Sequence, residues 1–304
     1  MGANLVPALL DRGAEVHVIL RAGTDSWRLA AIRSRLHVWT MDLADPDLAE
    51  CVRQIRPQVL FNLAVERRVA TPVEQVSAWQ RETRGTLNRV RAASEAGVRA
   101  VVHLGSSLEY GHRRRPLSEK TSLEPAAFFG VLKAATTLLW QQAARGQNLP
   151  VVILRPFSVY GPWEGRERLI PTAIAAALSG RSMRLAASGY RRDLVFVEDV
   201  VRACLLAAEA PHLRGEVFNV GSGRQWTNEA IVRAVGAVCN VSIPVEVGAF
   251  PARESDTRYW VADRRKADRL LGWRPRLSLR NGLERFVDWV REHPEYLSAT
   301  AGVG

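Results

Sequence analysis

The chain has 304 residues, 47% of them hydrophobic, and a formal charge of +11. That length suits one large α/β domain or two closely packed ones, with enough apolar side chains for a sizeable core. The longer apolar runs, Ala173 to Leu178 and Leu205 to Ala208, are too short to cross a bilayer, and the first residues lack the basic-then-apolar order of a signal peptide. No membrane partner and a cytoplasmic location are therefore expected. Cys51, Cys204 and Cys239 are odd in number and far apart, with neither Cys-x-x-Cys nor clustered His, so they read as reduced packing residues and no metal is expected. The basic residues are scattered, and the lysines are Lys120, Lys133 and Lys266 alone. The one dense run, His112-Arg113-Arg114-Arg115, precedes Pro116 and reads as a solvated loop. Nucleic acid is disfavoured as a partner, while anionic phosphates on a small substrate suit a few arginines.

In chain order, β-rich runs lie at Val16 to Leu20, His37 to Thr40, Val59 to Leu63, Ala100 to Leu104 and Val151 to Leu154. Amphipathic segments such as Thr83 to Ala96 and Val131 to Ala144 separate them. This βα repetition predicts a parallel, doubly wound α/β sheet, with its ligand crevice at the carboxyl ends of the strands. The second of those helices opens with Phe129-Gly130-Val131-Leu132-Lys133. Residues four apart share a helix face, so a Tyr at 129 beside the Lys133 ammonium would form a proton-transfer pair with a lowered phenol pKa. Phe129 supplies the ring without the hydroxyl.

Other passages share that pattern's context. Ser106-Ser107-Leu108-Glu109-Tyr110-Gly111 follows the fourth run. Leu154-Arg155-Pro156-Phe157-Ser158-Val159-Tyr160-Gly161-Pro162 is followed by Arg168-Leu169-Ile170-Pro171, and then by Arg191-Arg192-Asp193-Leu194-Val195-Phe196-Val197-Glu198-Asp199-Val200. From Gly2 to about Arg291 the chain resembles the extended short-chain dehydrogenase/reductases, the family of nucleotide-sugar epimerases, dehydratases and ketoreductases. The resemblance implies a Rossmann-like dinucleotide-binding domain over 1–160 and a smaller substrate lobe, mainly 161–291. Segments around 191–204 would return to the first domain, and 292–304 would form a tail.

Met1-Gly2-Ala3-Asn4-Leu5-Val6 resembles the third glycine of the family's phosphate-binding turn and the helix that follows. The family's first strand and first two glycines are missing. That strand would lie between the runs at Val16 and Val59, and its loss would expose two interior edges, so about a dozen residues are expected to precede Met1 in the natural protein.

The resemblance also implies site residues. Ser106, Ser107, Lys133 and Phe129, at the place of the family Tyr, would form the catalytic group. Gly2, Arg21, Asp42, Leu43, Leu63, Ala64, Lys133, Pro156 and Phe157 would line the cofactor. Arg21 stands where an acidic residue usually binds a ribose 2′-hydroxyl and suits a 2′-phosphate instead, so NADP is favoured over NAD. Ser158, Arg192 and Arg253 would hold a nucleoside-diphosphate sugar, the arginines by bidentate bonds to phosphate. Ser107-Leu108 replaces the two acidic side chains of the family's 4,6-dehydratases, which disfavours dehydration. Glu82 and Ser158 each stand where the family has Asn, and Ser255 where it has Gly. The expected activity is that of an NAD(P)-dependent nucleotide-sugar epimerase or reductase, foremost a 4-keto-deoxysugar ketoreductase or epimerase with an atypical proton donor. The alternatives are a catalytically silent nucleotide-binding protein of the same fold and a basic nucleic-acid-binding module. A homodimer through the helices at Thr83 to Ala96 and Val131 to Ala144 is also implied.

Overall fold

The computed structural model describes residues 1–64, 71–252, 254 and 256–298. Its first half contains α1 (Gly2–Leu10), β1 (His17–Leu20), β2 (His37–Thr40), α2 (Leu48–Ile55), β3 (Val59–Asn62), α3 (Pro72–Glu95), β4 (Ala100–Leu104), α4 (Phe128–Gly146) and β5 (Val151–Pro156). Then come β6 (Ser158–Tyr160), α5 (Leu169–Ser179), β7 (Met183–Leu185), β8 (Arg191–Phe196), α6 (Val197–Ala208), β9 (Val217–Val220), β10 (Gln225–Thr227) and α7 (Asn228–Cys239). The chain continues with β11 (Val245–Val247), α8 (Arg265–Leu271), α9 (Leu279–Glu292) and α10 (Glu295–Ser298).

β3, β4, β5 and β9 form a parallel sheet in the order β3-β4-β5-β9. Alternate side chains of its central strands face opposite layers, as the two-residue period of a strand requires. Val102, Leu104, Val152 and Leu154 pack with Val200, Ala203 and Cys204 of α6 and with Leu5 of α1. Val101, Val151 and Ile153 pack with Val90 and Ala93 of α3 and Trp140 and Ala143 of α4. Helices thus cover both faces of a parallel sheet that is apolar on both sides, which is the Rossmann-like doubly wound arrangement the sequence implied.

Among the described residues the sheet is interrupted between β1 and β3. β1 pairs with β2 in register His17↔His37, and among the described residues neither strand is hydrogen-bonded to β3. Burial follows the pairing. Every residue of β4 and β5 is buried, whereas all four of β1 are only half-buried, as are Val59, Leu60 and Phe61 of β3.

α3 starts well before the amphipathic run seen in the sequence. Thr71 caps it by accepting from Glu74 N–H at 3.2 Å, Glu74 returns a bond to Thr71 N–H at 2.8 Å, and Pro72 occupies the first turn. This capping box satisfies otherwise orphaned donors. Beyond β5 a second core gathers Tyr160, Ile170, Ile174, Phe196, Ile231, Val235, Leu283, Phe286 and Tyr296 from α5, α7, α9, α10 and neighbouring strands. Among the cysteines, Cys51 and Cys204 are buried, and burial pushes the Cys204 thiol up to about 12.

Candidate functional site

β4 is followed by Gly105 and Ser106, which lead into a tight 3-10 turn over Ser107–Tyr110. α4 lies against that turn so closely that a Cβ on Gly130 would fall 2.5 Å from the Leu108 carbonyl oxygen. The helix face carrying Phe129, Lys133 and Thr137 therefore meets the end of β4. Lys133 is 4% exposed and its Nζ donates to Leu104 O at 2.7 Å. Ser106 caps the turn, its hydroxyl accepting from Leu108 N–H at 3.2 Å while its own N–H donates to Glu109 Oε1 at 2.7 Å. Ser107 is buried, and Phe129 is half-buried with no hydroxyl to offer.

A buried polar network lies behind these residues, and the sequence reading did not contain it. Thr137 donates to Glu109 Oε1 at 3.1 Å, and Arg155 Nε donates to Glu109 Oε2 at 2.7 Å. Arg155 Nη1 donates to the Tyr110 hydroxyl at 3.0 Å, and that hydroxyl donates to Asn219 Oδ1 at 2.8 Å. Burial pushes the Tyr110 phenol above its ordinary range. Its proton is committed to Asn219, so Tyr110 is no substitute for a phenol at 129. Arg155 and Asn219 are register partners on β5 and β9, a proximity that only the strand pairing reveals.

A second buried cluster lies on the α3 side of the sheet. Glu82 pairs with Arg89 at 2.9 Å. Arg89 also donates to Asn62 Oδ1 at 2.7 Å, and Asn62 meets His103 Nδ1 at 2.8 Å. Burial above all, then Lys133, Arg89 and Arg155, holds the His103 imidazole well below its ordinary pKa.

The residues expected around a cofactor sit at strand ends and at α1. Gly2 opens α1, whose Met1 cap has no side-chain hydrogen bond and whose first turn has no acidic residue. A helix start without acidic side chains suits an anionic group such as a pyrophosphate. A Cβ on Gly2 would meet Leu63 Cδ1 at 3.9 Å, an ordinary contact. Arg21 follows β1 and is exposed. Asp42 follows β2 and its Oδ1 accepts from Ala44 N–H at 2.8 Å, while Asn88 of α3 donates to Leu43 O at 3.4 Å and Asp45 O at 2.8 Å. Leu63 and Ala64 continue from β3, with Leu63 packed against the main core. Pro156 ends β5 and is buried, and Phe157 is 6% exposed with its N–H bonded to Val220 O at 2.9 Å.

On the substrate side, Ser158 begins β6 and is half-buried. Arg192 of β8 forms an ion pair with Asp256, and Arg253 lies outside the described residues. Next to Arg192, Asp193 is fully buried and accepts from Ser222 N–H and Oγ–H, Gly223 N–H and Ala262 N–H, tying three passages together. Burial pushes its carboxyl up to about 6 against the pull of those bonds.

The fold also makes a histidine cluster invisible in the linear sequence. The register pair His17 and His37 stack at 4.6 Å, and both Nε2 atoms face Glu15 Oε1, at 3.0 and 3.4 Å. Trp39 donates its indole N–H to His17 Nδ1 at 3.0 Å. That bond makes Nδ1 the acceptor and leaves the proton on Nε2, directed at the carboxylate. A lone pair at Nε2 for a metal would require breaking the bond to Trp39.

A parallel sheet covered by helices on both faces, with a buried Lys at the carboxyl end of a central strand, defines a Rossmann-like α/β protein. The chain belongs to the NAD dependent epimerase/dehydratase family, whose family model matches residues 1–221. It is 31% identical over 304 residues to UDP-glucose 4-epimerase of Mycolicibacterium smegmatis, covering 96% of this chain and 95% of the relative. Among solved structures, UDP-glucose 4-epimerase of Thermotoga maritima with UDP-glucose superposes with a TM-score of 0.85 at 26% identity, covering 96% of both chains. MoeE5, solved with UDP-glucose and NAD, superposes with a TM-score of 0.83 at 30% identity, again over 96% of both chains.

Proposed function

We propose that the chain acts on a nucleoside-diphosphate sugar by hydride transfer with NAD or NADP, as a 4-keto-deoxysugar ketoreductase or an epimerase whose proton donor is not residue 129. The observation that carries this reading is the joint placement of Lys133 and Ser106 at the end of β4, through the bonds to Leu104 and Glu109. A bound nicotinamide would supply the hydride acceptor or donor. Lys133 would hold its ribose and keep the site electropositive, and the Ser106 hydroxyl would donate to the sugar oxygen that changes oxidation state. Arg192 would meet the diphosphate by exchanging part of its ion pair with Asp256. Arg21 favours a 2′-phosphate, which places NADP beside the NAD carried by MoeE5 as a candidate.

The test is turnover of UDP-glucose and of a dTDP-4-keto-6-deoxy sugar by the full chain with each cofactor in both redox states. Absence of turnover in the wild type overturns the reading, all the more if Phe129→Tyr gains it. A silent binding protein of the same fold is the second reading, favoured by Phe129 itself, and predicts nucleotide-dependent thermal stabilisation without turnover. A homodimer is proposed through α3 and α4, on which Val73, Val76, Trp79, Leu87, Val131 and Leu138 are exposed. Such a stripe of apolar side chains on two packed helices suits a self-complementary partner surface.

A further inference from the structure

We propose that Glu109 is the positioning residue of this site, its carboxylate fixing Ser106 and the Lys133 face of α4 relative to one another; this rests on the nucleotide-sugar reading above. One oxygen, Oε1, accepts from both elements that bear site residues. Ser106 N–H reaches it from the end of β4 at 2.7 Å, and Thr137 Oγ1 reaches it from α4 at 3.1 Å. Thr137 lies one helical turn beyond Lys133 on the same face, so a shift of Thr137 carries Lys133 with it. The Lys133 bond to Leu104 O closes the loop between the same helix and the same strand end.

The other oxygen anchors the device to the sheet. Oε2 accepts from Arg155 on β5, and through Tyr110 and Asn219 the chain of bonds ends on β9 and on the Leu117 carbonyl oxygen. Each member is buried, so competing water does not soften the geometry. Gly105 completes the fit, because a Cβ there would stand 2.4 Å from Glu109 Oε1. Glu109 is 0% exposed and reaches no substrate. Its influence on chemistry runs through Ser106 and Lys133. With no phenol at 129, Ser106 offers a hydroxyl donor on the β4 turn, since its oxygen accepts from Leu108 N–H and its O–H is left to donate. Its placement then decides the rate.

Thr137→Val tests this most cleanly, because it keeps shape and charge and removes one bond to Oε1. Glu109→Gln removes the charge opposite Arg155 and is the stronger but more destabilising variant. The readouts are NADH affinity by fluorescence, kcat and KM with UDP-glucose and NAD, and the Cε resonances of 13C-lysine protein. The chain has three lysines, so Lys120→Arg and Lys266→Arg assign the spectrum.

Thr137→Val is expected to keep NADH affinity within about twofold, to lower kcat about tenfold at unchanged KM, and to move the Lys133 resonance, with Thr137→Ser restoring both. A Lys133 resonance and kcat unchanged in Thr137→Val overturn the proposal. So does a parallel fall in thermal stability and NADH affinity with kcat unchanged, which marks a purely structural carboxylate. If the wild type binds NADH but turns over no sugar nucleotide, the functional reading fails, and the Lys133 resonance alone still decides the role of Glu109.

Discussion

Asn62 and His103 face each other across β3 and β4, and their 2.8 Å contact determines which ring nitrogen carries the proton. Arg89 donates to Asn62 Oδ1, so the amide presents its NH2 to His103 Nδ1, which must accept, leaving the hydrogen on Nε2. A neutral imidazole of one tautomer is thus locked among buried cations. Asn62→Leu removes the acceptor of Arg89 and the donor to His103 together, and is expected to cost about 2–4 kcal/mol in denaturant unfolding.

The pH dependence of this cluster has a definite sign. The unfolded His103 binds a proton below its ordinary value of 6.5, and the folded one resists it, so the contribution to stability is lost as pH falls below about 6.5. His103→Gln is expected to remove that component of the stability profile, measured by thermal melts from pH 5 to 8.

Glu164 acts in the opposite direction. It is held in a clasp where Arg168 bonds its Oε1 at 2.9 Å, its Oε2 is buried without a partner, and its carbonyl oxygen accepts from Tyr296 at 2.7 Å. Burial pushes the carboxyl up to about 7, with Arg168 pulling it down. The folded state therefore binds the proton more tightly than the unfolded state, and this group's contribution falls as pH rises from about 4.5 to about 7. Glu164→Gln is expected to be neutral near pH 5 and to gain on the wild type by roughly 1–3 kcal/mol at pH 8. A constant difference across that range would contradict the assignment.

Phe129→Tyr restores a phenol four residues before Lys133, on the same face of α4. On the proposed function it should raise turnover by about 10²–10⁴ without tightening NADH binding. Lys133→Met should leave the fold intact by circular dichroism and weaken NADH binding by about tenfold or more.

The apolar stripe on α3 and α4 predicts a dimer that charge can split. Val76→Lys with Leu138→Arg should shift the chain from dimer to monomer in light scattering, with thermal stability nearly unchanged at the level of the single chain. An unchanged mass would remove this surface from consideration.

These outcomes show which parts of the molecule were legible in its sequence. Strands such as Ala100–Leu104 stood out because continuous apolar runs mark a sheet covered on both faces. The start of α3 was missed, although Thr71, Pro72 and Glu74 spell a capping box, because Val73, Val76 and Trp79 are exposed and disturb the expected amphipathic pattern. Glu109, Arg155 and Asn219 were not legible as a group. They come from a turn and two strands far apart in sequence, and only the register of β5 against β9 brings them together. The Glu15, His17 and His37 cluster was hidden for the same reason, since two strands supply it.

The uneven burial of the strands governs how this chain meets solvent. In most parallel sheets the centre is the last region to exchange its amide hydrogens and the rims are the first. Here β4 and β5, buried along their whole length, should hold their amide hydrogens longest, while deuterium enters first at the half-buried β1 and β3.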